Sequence, residues 1–167
     1  GYLNPIERRG WQWYAEQAAK AGVDALLIVD LPPEEAASVR ALLNAQGLQL
    51  ISLLAPTTDD SRLALACSQA QGYLYYVSMT GVTGKDLAQS GDLVRRVGDI
   101  RAAAPVPVYV GFGIKDAETA KACAAFADGV IVGSALVARL AECQSPEQAA
   151  LVAHEFLKPL RSAMDSV

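Results

Sequence analysis

Apolar residues gather in five short, nearly unbroken runs, at residues 24–30, 48–55, 73–78, 107–111 and 129–133, each rich in Val, Ile, Leu or Tyr. Runs of this length without polar alternation predict strands covered on both faces, as parallel strands beneath helices are. The stretches between them carry helical spacing and open on start signals. Pro33-Glu34-Glu35, Thr58-Asp59-Asp60, Ser90-Gly91-Asp92, Asp116-Ala117-Glu118 and Ser145-Pro146-Glu147 each offer a capping oxygen or a negative charge to a helix N-terminus. Gly22, Gly47 and Gly72 follow helices expected to end near Lys20, Gln46 and Gln71, where a left-handed closing residue favours glycine. Strand and helix thus alternate over short connections, which predicts the α/β class built from parallel βα repeats.

Two architectures accept five such repeats. A flavodoxin-like open sheet suits the 167-residue length. A TIM (β/α)8 barrel needs eight strands and about 250 residues, so the chain would be an incomplete barrel with about five of the eight strands. The strand ends favour the barrel, because the last two apolar runs end in Gly111-Phe112-Gly113-Ile114 and Gly133-Ser134-Ala135. Backbone amides hold a phosphate only where no side chain blocks the approach, and barrels often place phosphate in their last two βα loops. The plainer reading of Gly113 and Gly133 is that they relieve crowding at strand ends. The expectation is one domain over residues 1–167, the C-terminal part of a TIM barrel.

Composition narrows the function. At 52% hydrophobic and 19% charged residues, the chain has enough apolar content to fold. Fourteen Lys and Arg against 18 Asp and Glu leave a net charge of -4 with no basic stripe, which argues against a nucleic-acid partner. No apolar run approaches bilayer length, and Gly1-Tyr2-Leu3-Asn4-Pro5 lacks the character of a signal peptide, so no membrane association and a cytoplasmic location are expected. Cys67, Cys123 and Cys143 are odd in number and widely spaced, which predicts reduced, buried thiols and no metal site. His154, the only histidine, falls in the apolar helical run 152–157 and reads as a satisfied helix residue rather than a triad member.

The ordered set Gly1-Tyr2-Leu3-Asn4-Pro5, Val29-Asp30-Leu31-Pro32, Gly72-Tyr73-Leu74-Tyr75-Tyr76-Val77-Ser78, Gly81-Val82-Thr83-Gly84, Gly111-Phe112-Gly113-Ile114 and Gly133-Ser134-Ala135 resembles the tryptophan synthase α chain family. The likeness runs from Gly1 to the last helix and covers the family's C-terminal portion, without its first two strands and most of its third. It implies a lyase of tryptophan biosynthesis that cleaves indole-3-glycerol phosphate to indole and glyceraldehyde 3-phosphate by a retro-aldol reaction. By the resemblance, Gly84, Gly113, Gly133 and Ser134 hold the substrate phosphate, Phe112 lies alongside, and Tyr75 matches a tyrosine near the catalytic glutamate. Thr83 matches the threonine of the family's mobile loop, to which Asp86 also belongs.

Cleavage of the carbon–carbon bond needs one group to protonate the indole ring and another to take a proton from the glycerol hydroxyl. The family supplies a glutamate and an aspartate whose positions precede Gly1, so no catalytic residue is expected on this chain, and the segment alone is expected to be inactive. Asp30 closes a strand where barrel acids often act. Its match, with Asn4 and Pro32, instead lies at the rim facing the tryptophan synthase β chain in an α2β2 complex. Pyridoxal phosphate belongs to that β chain, and no cofactor is expected here. Asp59 and Asp60 read as helix-start carboxylates. The alternative function is a non-catalytic barrel fragment that binds a phosphorylated ligand or a partner.

Overall fold

A computed structural model describes residues 1–77, 91–111 and 113–167. Its elements alternate as the apolar pattern predicts. Helices α1 (Leu3–Glu7) and α2 (Trp11–Lys20) precede β1 (Ala25–Leu27), and a single 3-10 turn (Pro33–Glu35) leads into α3 (Ala36–Ala45). Then follow β2 (Gln49–Leu54), α4 (Asp60–Ser68), β3 (Leu74–Val77), α5 (Gly91–Ala103), β4 (Val108–Gly111), α6 (Ala117–Ala124), β5 (Gly129–Ile131), α7 (Ser134–Leu140) and α8 (Pro146–Met164). Strand order is β1-β2-β3-β4-β5, the order of the chain, without the reversal that defines a doubly wound sheet. The flavodoxin-like alternative is thereby set aside.

The start signals act as expected where they are described. Asp59 accepts the Arg62 amide at 2.8 Å, Asp116 the Thr119 amide at 2.8 Å, and Ser145 the Gln148 amide at 3.2 Å, each satisfying a donor that the helix cannot. Gly22 and Gly47 take φ of 80° and 75°, the left-handed closures that a side chain would strain. Gly72 is also left-handed, at 63°, but α4 ends at Ser68 rather than near Gln71, so this glycine turns the connection to β3 instead of closing the helix. Ser78 and Ser90 lie outside the described residues.

The chain divides into two compact units. The first comprises Gly1–Tyr75 with Ala103–Pro107. Its β1 and β2 pair in parallel, Ala25 opposite Gln49 and Leu27 opposite Ile51. Its core gathers Ile6, Ala15, Ile28, Val39, Leu43 and Leu48, with Trp11 and Tyr14 packed at the margin. The Gly1 amine donates to the Leu27 carbonyl at 2.6 Å and the Val29 amide donates to the Gly1 carbonyl at 3.0 Å. These two bonds have the pattern of a parallel pair around Ile28.

The second unit comprises Tyr76–Ala102 with Val108–Val167. There Leu93, Val97 and Ile100 of α5 and Val108 and Val110 of β4 are buried, together with Cys123 and Phe126. Helices α6 and α8 pack on one another, and α6 also packs on β5.

Two further expectations need correction. Strand cover is uneven: in β3, Leu74 and Tyr76 are buried while Tyr75 and Val77 are half-buried, because an apolar run records no information about which neighbour covers each face. Cys143 is half-buried where burial was expected, its thiol donating to the Arg139 carbonyl at 3.5 Å, whereas Cys67 and Cys123 are buried. His154 lies on α8, as its helical run predicts, and is exposed, as are Leu151 and Leu157 three residues to either side on the same face. Among the described residues, no helix is long and apolar enough to cross a membrane, and no three His, Cys, Asp or Glu side chains gather as metal ligands.

Candidate phosphate-binding turns and rim

The geometry of the second unit is set by the pairing of β4 with β5. They run parallel, with Tyr109 opposite Gly129, Val110 opposite Val130 and Gly111 opposite Ile131. In sequence, Gly113 and Gly133 each stand two residues past one paired position, Gly111 opposite Ile131.

Both glycines are exposed, as is Ser134. Gly113 has φ 73°, a left-handed conformation that glycine adopts freely. Gly133 has negative φ, and among the described residues no atom lies within 4 Å of where its Cβ would stand. Crowding by the described residues does not account for glycine at position 133. Gly133 is the N-cap of α7, and its carbonyl accepts the Leu136 and Val137 amides at 3.0 and 3.1 Å. The Ser134 and Ala135 amides precede these first intrahelical donors and so lie at the helix mouth. Amides at a helix mouth with an exposed hydroxyl beside them are groups that an oxyanion of phosphate type can accept from.

Two side-chain contacts flank these turns. Arg139 lies with its guanidinium over the Phe156 ring, 4.1 Å from the centroid, and donates to the Ala135 carbonyl at 2.7 Å, tying the first turn of α7 to α8. Thr119 is buried and donates its hydroxyl to Asp116 at 2.6 Å. Two clefts of this unit, about 350 and 420 Å³, are lined instead by residues such as Tyr109, Met164, Lys115 and Arg139, and neither is lined by the glycine turns.

In the first unit Tyr75 lies on β3, half-buried. Burial, and secondarily Tyr73, pushes its phenol up, which keeps it a protonated donor at neutral pH. Asp30 is exposed and its carboxylate accepts the Leu3 amide at 2.7 Å, so it caps α1, whose N-cap Tyr2 contributes no side-chain bond. That bond brings the Asp30 turn to the helix that carries Asn4, and Pro32 begins the 3-10 turn just beyond. Asp59 binds the Arg62 amide and the Ser61 hydroxyl, the helix-start role expected of it. Thr83, Gly84, Asp86 and Phe112 lie outside the described residues.

Comparison with known proteins gives a consistent answer. The family model for the tryptophan synthase alpha chain matches residues 1–165. The tryptophan synthase alpha chain of Xanthomonas campestris pv. campestris (strain 8004) is 53% identical over 167 residues, covering 99% of this chain and 61% of that protein. That of Xanthomonas oryzae pv. oryzae (strain MAFF 311018) is 55% identical over 166 residues, covering 99% and 62%. The crystal structure of the alpha chain from Legionella pneumophila subsp. pneumophila superimposes with a TM-score of 0.84 at 40% identity, over 100% of this chain and 62% of that one. A chain from the tryptophan synthase a2b2 complex of Pyrococcus furiosus gives 0.82 at 30% identity, over 96% and 64%. The chain thus spans about 61% of the length of the first of these relatives. Its βα repeats are those of a TIM barrel, five of the eight strands, and the chain belongs to the tryptophan synthase alpha chain family.

Proposed function

We infer that this chain supplies the phosphate-holding part of a lyase that cleaves indole-3-glycerol phosphate to indole and glyceraldehyde 3-phosphate. The observation that supports the reading is the pair Gly113 and Gly133, each two residues beyond the last paired position of β4 and β5, with Ser134 beside the second and no described atom in the Cβ space of Gly133. The substrate phosphate would accept hydrogen bonds from the turn amides and the Ser134 hydroxyl, charge-assisted and so stronger than neutral ones. Held there, the glycerol chain is oriented before any bond breaks, and such positioning is a large part of the rate of a cleavage that needs placed acid and base groups. Thr83, Gly84, Phe112 and Tyr75 are assigned to the same substrate by family likeness.

The acid and base belong, by that likeness, to a glutamate at the end of the family's second strand and an aspartate in the loop that follows, both of which precede Gly1 in the family order. Asn4, Asp30 and Pro32 form the rim for a β chain in an α2β2 complex, and pyridoxal phosphate is that partner's cofactor. A cytoplasmic location accords with this reaction.

An indole-release assay on the purified 167-residue chain tests the reading. No turnover is expected from the chain alone, and turnover is expected when an N-terminal segment of a related alpha chain is supplied. Phosphate binding with no turnover on complementation would support a non-catalytic binding module. Turnover by the chain alone, abolished by Asp30→Asn, would move the catalytic acid to Asp30 and overturn the assignment.

A further inference from the structure

Only Ile114 and Lys115 separate Gly113 from Asp116, the N-cap of α6. Ile114 is 4% exposed, so its side chain anchors the connection to the core. Asp116 has extended backbone and its Oδ1 accepts both the Thr119 amide, at 2.8 Å, and the Thr119 hydroxyl, at 2.6 Å. Thr119 is 4% exposed, and the Ala120 amide donates to the Asp116 carbonyl at 3.1 Å. The cap is therefore bound to a side chain that cannot move into solvent. Gly113 has no side chain of its own to hold its left-handed turn, and a glycine keeps one conformation only when its neighbours impose it. The span that carries it is held at Ile114 by apolar packing and at Asp116 by two short polar bonds.

We propose that Asp116 is a positioning residue for the phosphate group of the substrate: through its bonds to Thr119 it fixes the span that aims the Gly113 turn. The proposal rests on the phosphate-site reading above. Asp116 itself touches no ligand in this account. Its negative charge faces the N-terminus of α6, where the helix dipole offsets the penalty of an anion three residues from a phosphate. An amide side chain at the same place can accept the same bonds without that charge, whereas an alanine cannot.

The experiment is a titration of the 15N-labelled 167-residue chain with glycerol 3-phosphate, followed by the amides of Gly113, Gly133 and Ser134. In the unsubstituted chain all three should shift on binding. Asp116→Ala should weaken binding about fivefold, the size of a lost cap, and should abolish the Gly113 response while Gly133 and Ser134 still respond. Asp116→Asn should bind within about twofold of the unsubstituted chain with all three responses intact. Thr119→Val, which keeps the backbone cap and removes the hydroxyl, should fall between them. Unchanged affinity and an unchanged Gly113 response in Asp116→Ala would overturn the proposal alone. Equal loss at all three amides in Asp116→Ala, with no rescue by Asp116→Asn, would also overturn it by reducing the cap to a general folding role. No binding by the unsubstituted chain would overturn the phosphate-site reading and this inference together.

Discussion

The ring of Tyr109 occupies the place where a Cβ on Gly129 would stand: that atom would lie 2.8 Å from Cδ1 and 2.9 Å from Cε1. The two residues are register partners across β4 and β5, so neither can withdraw without breaking the ladder. Gly129→Ala is expected to destabilise the chain by about 1–3 kcal/mol, the usual cost of overpacking. Urea denaturation would measure it, and pairing it with Tyr109→Ala should recover part of the loss, as coupling between touching residues requires.

A Cβ on Gly133, four residues on in the same apolar run, would meet no atom of the described residues within 4 Å. Gly133→Ala should therefore cost less stability than Gly129→Ala while weakening glycerol 3-phosphate binding, because the added methyl enters the space assigned to ligand. A calorimetric titration beside the urea curve separates the two effects.

Asp128 joins three segments. One carboxylate oxygen accepts from Arg101 at 2.6 Å and the other from the Val108 amide at 2.8 Å, while Arg101 also reaches the Phe126 carbonyl at 3.3 Å. Burial by itself raises this carboxyl, but the bonds from Arg101 and Val108 and the charge of Arg101 outweigh it and hold the group below its ordinary value. A carboxyl lowered in the folded state adds stability above its unfolded pKa and loses it as pH falls through the folded one. Asp128→Asn should cost about 1 kcal/mol at neutral pH, discounted because the pair is partly open to water, and the difference from the unsubstituted chain should shrink on acidification below the ordinary carboxylate range. Chemical denaturation at a series of pH values checks the sign.

Asp30→Ala removes the acceptor for the Leu3 amide, and with it the side-chain cap of α1. Hydrogen exchange at the amides of α1 should quicken by about fivefold, corresponding to roughly 1 kcal/mol of lost capping, while α6 and α8 keep their protection.

The three thiols should react in two classes. Cys123 is fully buried and burial raises its thiol to about 11, and burial raises Cys67 as well. Cys143 is half-buried at the end of α7. A disulfide reagent at pH 8 should titrate Cys143 in the native chain and reach the other two only after unfolding, because the thiolate is the reacting species and must be accessible. Rapid reaction of all three would show that each unit opens freely, Cys67 reporting on the first and Cys123 on the second.

Features that close within four residues were readable in advance. Asp59 with Arg62, Asp116 with Thr119 and Ser145 with Gln148 are bonds from one residue to the third beyond it, and a left-handed closure at Gly47 answers to its own backbone alone. Alternation of strand and helix, their parallel order and the glycine turns at the strand ends follow from such local signals and from apolar periodicity. Strand length was less legible: the run 24–30 yields a strand of only three residues, and Asp30 at its end accepts from the Leu3 amide, 27 positions earlier. Gly129 and Gly133 look alike as the two ends of one apolar run. Their difference arises from Tyr109, which lies on another strand and stands opposite one glycine only because β4 and β5 pair in a particular register. Likewise nothing near Asp128 names Arg101 or Val108 as its partners, and nothing near Arg139 names Phe156. Contacts of that kind depend on which elements become neighbours, and that is settled by the burial of the whole apolar set rather than by the conformation of any short stretch.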